Sequence, residues 1–518
     1  MPPPPSLDEL EFKYFLARGV GGGIPYSGET VVIPHVDGES YFGAIADALD
    51  QCEGPGDRIY IASWYLNPSM PLRTSAGSEL LQEILLKKAE KGADLRIIVA
   101  TPRFSIGPVG TNPAKVEWWL GAMGGKALSQ FTHQNIRAVM NLRHGLGITT
   151  HRIDGRVLMD WGGRNDARHE KSTIIYSLKT KELRAFIGGM DYAPDRMANE
   201  LHTTLAPLPW HDVGVELRGG AAMAVLENFQ TRWTETATLP SQHYWIDDSK
   251  WVFNTFIEQP PPSQPTNLAQ PVVSAGAYAG SSVRILRSYE GIRAFSPWLN
   301  RKDLPWNTLP PTGIREILSA LQQAILEATN YIYVEDQTLN RGIIEGAYIK
   351  HHLLYPTISV ALARGVKVIF VSQGKSGPSE MPVSFTMSNQ IRDEILAPRT
   401  PAERENFALY LITDTKVHSK VVLVDDEFAS IGSANFWDRS MDGTESELNA
   451  AIVHPGGQNS LIADLRVRLW RGHLRVASSA SVDAELRDLR KSMGMWRTTW
   501  GWGITFPHPN SALKEITP

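Results

Sequence analysis

Two hydrophobic periods alternate along this chain, and they do so in the same order twice. Phe42, Ile45, Leu49 and Cys52 recur at helical spacing, and the β-rich "RIYIASWYL" follows directly. "SELLQEILLKKAEKG" then sets Leu80, Leu81, Ile84 and Leu85 on one face and ends at Gly92, which predicts an amphipathic helix with a solvated basic side and a glycine stop. "ADLRIIVA" reads as a strand, and beyond it come "HEKSTIIY", "RAFIGGMDY", "WHDVGVEL" and a helix ending "LENFQTRW".

The second pass begins with Ile314, Ile317, Leu318, Leu321 and Ile325 at helical spacing, followed by the strand "YIYVEDQTL". "ISVALARG" leads into "VKVIFVSQ", and then come "HSKVVLVDD", "ASIGSANF", "ESELNAAIV" and a helix ending "RVRLWRG". A match of ordered elements at this scale indicates an internal duplication. Strands alternating with helices predict α/β halves, each a largely parallel or mixed sheet covered by helices. Between them "EQPPPSQPTNLAQPVVSAGAYAG" is too rich in proline for regular elements and reads as a surface linker. The expected division is an arm over 1–38, a first half over 39–257, the linker over 258–280, a second half over 281–475 and a Trp-rich extension over 476–518. Duplication places a shared site at the seam, on a pseudo-twofold axis.

A length of 518 residues suits two units better than one core, and 42% hydrophobic with 20% charged residues describes an ordinary globular protein. The net charge of −4 argues against a general nucleic-acid binder, which needs a basic footprint. With Cys52 as the single cysteine, neither an internal disulfide nor a cysteine zinc cage can form. "MPPPPSLDEL" lacks the basic and apolar regions of a secretory signal peptide, and no run is long and apolar enough to span a bilayer. The 15 tryptophans fit two readings: core packing, or, for "GMWRTTWGWG", rings at a wet interface.

Residues two apart on a strand face the same way, so His169 and Lys171 point together, as do His418 and Lys420. An imidazole beside a fixed ammonium suits work on an anion, because Lys holds the negative charge while His attacks or moves a proton. One His-x-Lys carries little information; two at matching places in a repeat carry much more. Asp425 lies an odd step beyond Lys420, so parity turns it away from the pair and towards backbone groups at the strand end. Tyr176 takes the place of that Asp in the first copy, where its phenol is expected to affect local order rather than chemistry. In the next strand, "GSAN" sets Ser433 and Asn435 on one face and "GGMD" sets Gly189 and Asp191 likewise. The hydroxyl and amide suit phosphate oxygens, and glycine lets backbone approach a ligand. His211 reads as a ligand or as a packed side chain. His351 and His352 read as surface, and "GVGGGIP" lacks phosphate-loop spacing.

"HSKVVLVDDEFASIGSAN" resembles the His-x-Lys-x4-Asp-x6-Gly-Ser-x-Asn signature of the phospholipase D superfamily, and "HEK", "FIGGMDYAPDR", "PWHDVGVEL" and "NFQTRW" resemble its eukaryote-type first half. The similarity spans most of residues 40–475, departs at Tyr176, and has a longer first hairpin around "SLKTKEL". The resemblance implies a duplicated α/β/α sandwich with mixed sheets and the active site at the seam. It implies His169 as nucleophile, His418 as general acid, Lys171, Lys420 and Asn435 as a phosphate clamp, Asp191 in the matching place, and Asp212 and Glu447 as the acids that orient the histidines.

The implied function is hydrolysis of phospholipids such as phosphatidylcholine to phosphatidic acid and free head group through a phosphohistidine, with transfer to alcohols, at a membrane or micelle interface. Histidine catalysis calls for no metal or other cofactor, and no nucleic-acid partner is expected. Alternatives are a phosphatidyltransferase or nuclease of the same superfamily, or a lipid-binding pseudoenzyme disabled at Tyr176. "SQGKSGPSEMPVSFTMSNQ" and the terminal Trp cluster are the expected lipid-facing loops.

Overall fold

A computed structural model of the chain describes residues 4–16, 30–100, 134–135, 138–139, 142, 156–160, 167–200, 210–237, 242–245, 254–257, 280–289, 313–337, 343–344, 347–348, 354–373, 381–412, 415–443, 445–499 and 514–515. The linker up to residue 279, "GVGGGIP", His351, His352, Trp500 and Trp502 lie outside the described residues.

The first half supplies β1 (Val31–Val36), β2 (Arg58–Ser63), β3 (Asp94–Ala100), β4 (Val157–Asp160), β5 (Ala167–Arg168), β6 (Ser172–Ser177), β7 (Glu182–Gly188), β8 (Trp210–His211) and β9 (Val213–Arg218). β10 (Gln242–Trp245) and β11 (Asn254–Ile257) pair with each other apart from these. The second half supplies β12 (Ser282–Tyr289), β13 (Ile314–Arg315), β14 (Tyr331–Asp336), β15 (Ile343–Ile344), β16 (Ala347–Tyr348), β17 (Lys367–Gln373) and β18 (Phe407–Ile412). It continues with β19 (Lys416–Val417), β20 (Lys420–Val424), β21 (Phe428–Gly432), β22 (Glu445–Val453) and β23 (Lys514–Glu515).

The two main sheets have one plan. The first runs β1-β9-β7-β6-β2-β3-β4, and the spine of the second runs β12-β22-β21-β20-β14-β17-β18. In each, the last three strands are parallel and the others antiparallel. The halves are therefore mixed sheets duplicated in register, as the repeat predicts. β1 comes from the stretch read as an arm, and β23, from the Trp-rich extension, edges the second sheet beside β18.

Alternation along each strand feeds two cores. On β2, Ile59 and Ile61 pack outward with the helices Gly38–Asp50 and Leu81–Glu90, while Tyr60 and Ala62 face the seam. On β20, Val422 and Val424 pack outward and Val421 and Leu423 face the seam. The seam core joins both sheets with the helices Gly220–Ala237 and Leu461–Leu474 between them, so the layers run helix, sheet, helix, sheet, helix. Three tryptophans serve this core: Trp233, Trp470 and Trp496 are essentially fully buried, and Trp496 comes from the "GMWRTTWGWG" stretch considered for a wet interface. Residues 381–390 of the expected lipid-facing loop belong to a helix, Met381–Leu396. Among the described residues no helix is long and apolar enough to cross a membrane.

Parity places Asp425 correctly. Its backbone turns left-handed at φ 56°, and its carboxylate accepts from the N–H groups of Thr329, Asn330 and Tyr331 at 2.7–2.8 Å, tying the end of β20 to the start of β14. In the first half the same junction is tied from the other side. Asp57, just before β2, accepts from Leu178 N after β6 at 2.7 Å and from Gly54 N at 2.8 Å. Tyr176 is thereby released to pack in the seam core, where it is 4% exposed. The longer first hairpin comes mostly from its strands, six and seven residues in β6 and β7 against five each in β20 and β21, with a connection over 178–181 that is one residue longer than 425–427.

Two substitutions test this transfer of support. Asp57→Ala strands buried N–H donors and is expected to lower unfolding free energy by about 2 kcal/mol. Tyr176→Asp puts an unpaired carboxylate into the seam core and is expected to cost about 3 kcal/mol or more. Urea unfolding of both variants checks the order; a Tyr176→Asp chain as stable as wild type would contradict it.

Candidate active site

Each His-x-Lys begins just before a seam-side strand, and each is seated by a two-residue parallel ladder reaching into the other half. β5 runs beside β22, and His169 N donates to Ser446 O at 3.0 Å. β19 runs beside β8, and His418 N donates to His211 O at 2.8 Å. The residue after each acceptor carbonyl is the acid that holds the histidine ring. His169 Nδ1 lies 3.1 Å from both oxygens of Glu447, and His418 Nδ1 lies 2.7 Å from Asp212 Oδ2. The pairs are crossed, so each imidazole is oriented by a carboxylate of the opposite half. That exchange is invisible in the linear order of motifs.

The lysines sit beneath the rings. Lys171 Nζ donates to His169 O at 2.6 Å and lies 3.8 Å from Asp191 Oδ1; Lys420 Nζ donates to His418 O and, at 3.3 Å, to Gln337 Oε1. Both ammonium groups bear electrostatically on both imidazoles, which makes the two half-sites one site. Burial, reinforced by Lys171, pushes His169 down to about 3, and burial with Lys420 and Arg196 holds His418 well below the usual imidazole range. Burial likewise pushes Lys420 down to about 8, Asp212 up to about 6 and Glu447 up to about 7. Burial and the nearby cations thus favour neutral rings whose Nδ1 side is committed to an acid, leaving Nε2 free of that contact.

Two residues expected to face phosphate do something else. Ser433 Oγ donates to Glu447 Oε2 at 2.6 Å, and Ser440 donates to Oε1 at 2.6 Å, so both hydroxyls position the acid. Gly189 occupies the matching place in the first half, where a Cβ would fall 2.2 Å from Asp212 Oδ1. Its approach is to the orienting carboxylate rather than to a ligand. Asn435 is 4% exposed, and its buried Oδ1 has no hydrogen-bond partner among the described residues. Asp191 is buried between Lys171 and Arg196 and accepts from Tyr65 N at 3.0 Å.

Sequence reasoning missed Arg196, Trp210, Trp64 and Gln337. The Arg196 guanidinium stacks 3.3 Å from the centroid of Trp210, whose ring lies 5.0 Å from that of His418; Trp64 lies 5.7 Å from the His169 ring. Arg196 closes the quoted "APDR" and Trp210 precedes His211, so both stood beside noted residues without a spacing rule to single them out. Among the described residues, two buried groups have ligand atoms within 4.8 Å of one another, His169–Glu445–Glu447 and His211–Glu335–His473. In both, hydrogen bonds already engage the carboxylates: Ser433 and Ser440 on Glu447, Trp437 and Ser440 on Glu445, and both histidines on Glu335.

Residues 322–470 match the family model described as cardiolipin synthase, PLD-like domain. The chain is similar to phospholipase D alpha 3 of Arabidopsis thaliana, 23% identical over 88% of this chain and 65% of the relative. It is similar to phospholipase D2 of Bos taurus at 23% identity over 84% of this chain and 51% of the relative. The chain therefore spans just under two thirds of the plant relative and about half of the bovine one. Among solved structures, phosphatidylserine synthase of Haemophilus influenzae aligns over 92% of this chain and 96% of its own, with 12% identity and a TM-score of 0.49.

The buried acids carry a signed stability prediction. Glu447 is raised from 4.5 to about 7 in the folded chain, so the folded state holds the proton more tightly. Stability then falls as pH rises from about 4.5 through about 7. Glu447→Gln removes that slope: its thermal stability relative to wild type is expected to improve between pH 5 and pH 7.5. Parallel melting curves at the two pH values check this.

Proposed function

We propose that this chain, which belongs to the phospholipase D superfamily, is a phosphodiesterase that hydrolyses glycerophospholipids to phosphatidic acid and free head group and transfers the phosphatidyl group to added alcohols. The observation that carries the reading is the crossed pair of acid-held imidazoles, at 3.1 and 2.7 Å, sharing the field of Lys171 and Lys420.

His169 Nε2 attacks phosphorus while the bond to the head-group oxygen breaks, and His418 donates a proton to that oxygen. Water, deprotonated by His418, then displaces His169 and releases phosphatidic acid; an alcohol in its place gives the transfer product. Lys171, Lys420 and Asn435 hold the phosphoryl oxygens, and an arriving phosphodiester offsets the lysine charge that otherwise discourages protonation of His418. Glu447 and Asp212 stabilise the imidazolium that forms at each step. The intact His169–Lys171 arrangement beside Tyr176 favours an active first half over a binding-only one.

Two measurements test this reading. Acid-quenched reaction with labelled phosphatidylcholine is expected to trap a phosphoenzyme that His169→Asn abolishes, with choline released and an ethanol adduct formed; DNA nicking without lipid turnover would refute the lipid reading. The kcat/KM profile is expected to have an alkaline limb through about 8, where Lys420 loses its charge. Lys420→Arg should move the alkaline limb upward.

A further inference from the structure

Behind His418, on the side away from the lysines' phosphate position, lies a buried cluster that the chemistry above does not use. Glu335 of β14, fully buried, accepts from four side chains. These are His211 Nε2 at 3.0 Å, His473 Nε2 at 2.8 Å, Tyr333 OH at 2.6 Å and Ser419 Oγ at 2.7 Å. The other nitrogen of His211 lies 3.0 Å from Asp37 Oδ1, which also accepts from Asp212 N at 3.0 Å; Asp37 N donates back to Asp212 O at 2.8 Å.

The chain neighbours give the cluster its meaning. His211 precedes Asp212, and Ser419 follows His418. The contact of Asp212 with His418 therefore has a second link beside it, running His211–Glu335–Ser419, and the backbone bond from His418 N to His211 O ties the two together. We propose that His211, Glu335, Asp37 and Ser419 are positioning residues, a buried brace between the halves that sets the alignment of the Asp212 carboxylate on the His418 ring. This rests on the phosphodiesterase reading for its catalytic consequence, though not for the brace itself. Burial opposes charge on His211, but Asp37 and Glu335 hold it protonated well above the usual range; His211 and His473 in turn hold Glu335 well below its own. The middle residue of the other motif, Glu170, enters a comparable cluster, salt-bridged to Arg232 at 2.5 Å and accepting from Tyr289 OH at 3.2 Å.

The test uses the whole 518-residue chain labelled with 15N at its 14 histidines. Wild type is expected to show a low-field Nδ1–H proton for His418 and a doubly protonated His211 at neutral pH. Glu335→Gln, and the milder Ser419→Ala, are expected to weaken or abolish the His418 signal. They should lower kcat by at least about tenfold with KM within about twofold, as misalignment without loss of substrate contacts requires. Folded variants that keep the His418 signal and kcat overturn the brace, and so does a stoichiometric transition metal removable by chelator, which would make the cluster a metal site. The resonance needs no substrate, so a wild type inactive on phosphatidylcholine with the expected spectra sinks the proposed function and leaves the brace standing.

Discussion

Each imidazole of the two His-x-Lys motifs depends on a carboxylate that belongs to the other half. His169 is held by Glu447 and His418 by Asp212, and neither half alone contains a complete pair. This exchange requires the two sheets to meet face to face at fixed register. The parallel ladders β5·β22 and β8·β19 supply that register, and the shared core around Trp233, Trp470 and Trp496 supplies the burial. The centre is charged on all sides yet deeply buried, so the same apolar packing that closes the seam also shifts the groups within it. Acids move up, histidines and lysines move down, and the site is poised between protonation states rather than locked in one.

The duplication is strict in backbone and loose in side chains. Where the second half sets Ser433 against Glu447, the first sets Gly189 against the shorter Asp212, so a hydroxyl and a longer acid are exchanged for empty space and a carboxylate close to the backbone. Where the second half ties its strand junction with Asp425, the first ties it with Asp57 from the opposite side and fills the vacated place with Tyr176. In both cases a physical requirement, an oriented acid or satisfied backbone donors, is kept while the residue meeting it changes. Tyr176 is thus a change of support, with no bearing on where His169 and Lys171 point.

Much was legible in the chain. Period-2 and helical patterns are local properties, so the order of strands and helices, the duplication and the facing of His169 with Lys171 and His418 with Lys420 follow from spacing alone. Strand parity also placed Asp425 away from the chemistry. What spacing cannot give is the partner of a side chain across hundreds of residues. Ser433 and Gly189 read as phosphate contacts because their strand face is right, and only the folded seam reveals that Asp212 and Glu447 occupy the space before them. His211 read as a packed or solvent-facing side chain more readily than as a ligand; its place between Asp37 and Glu335 depends on three separate strands and loops converging. The sequence by itself determined the two half-sites and their chemical kind, because these lie within single strands. Tertiary structure alone decided which acid serves which histidine, which hydroxyls serve the acids, and how Tyr176 is tolerated, because burial and contact between distant segments are properties of the closed seam.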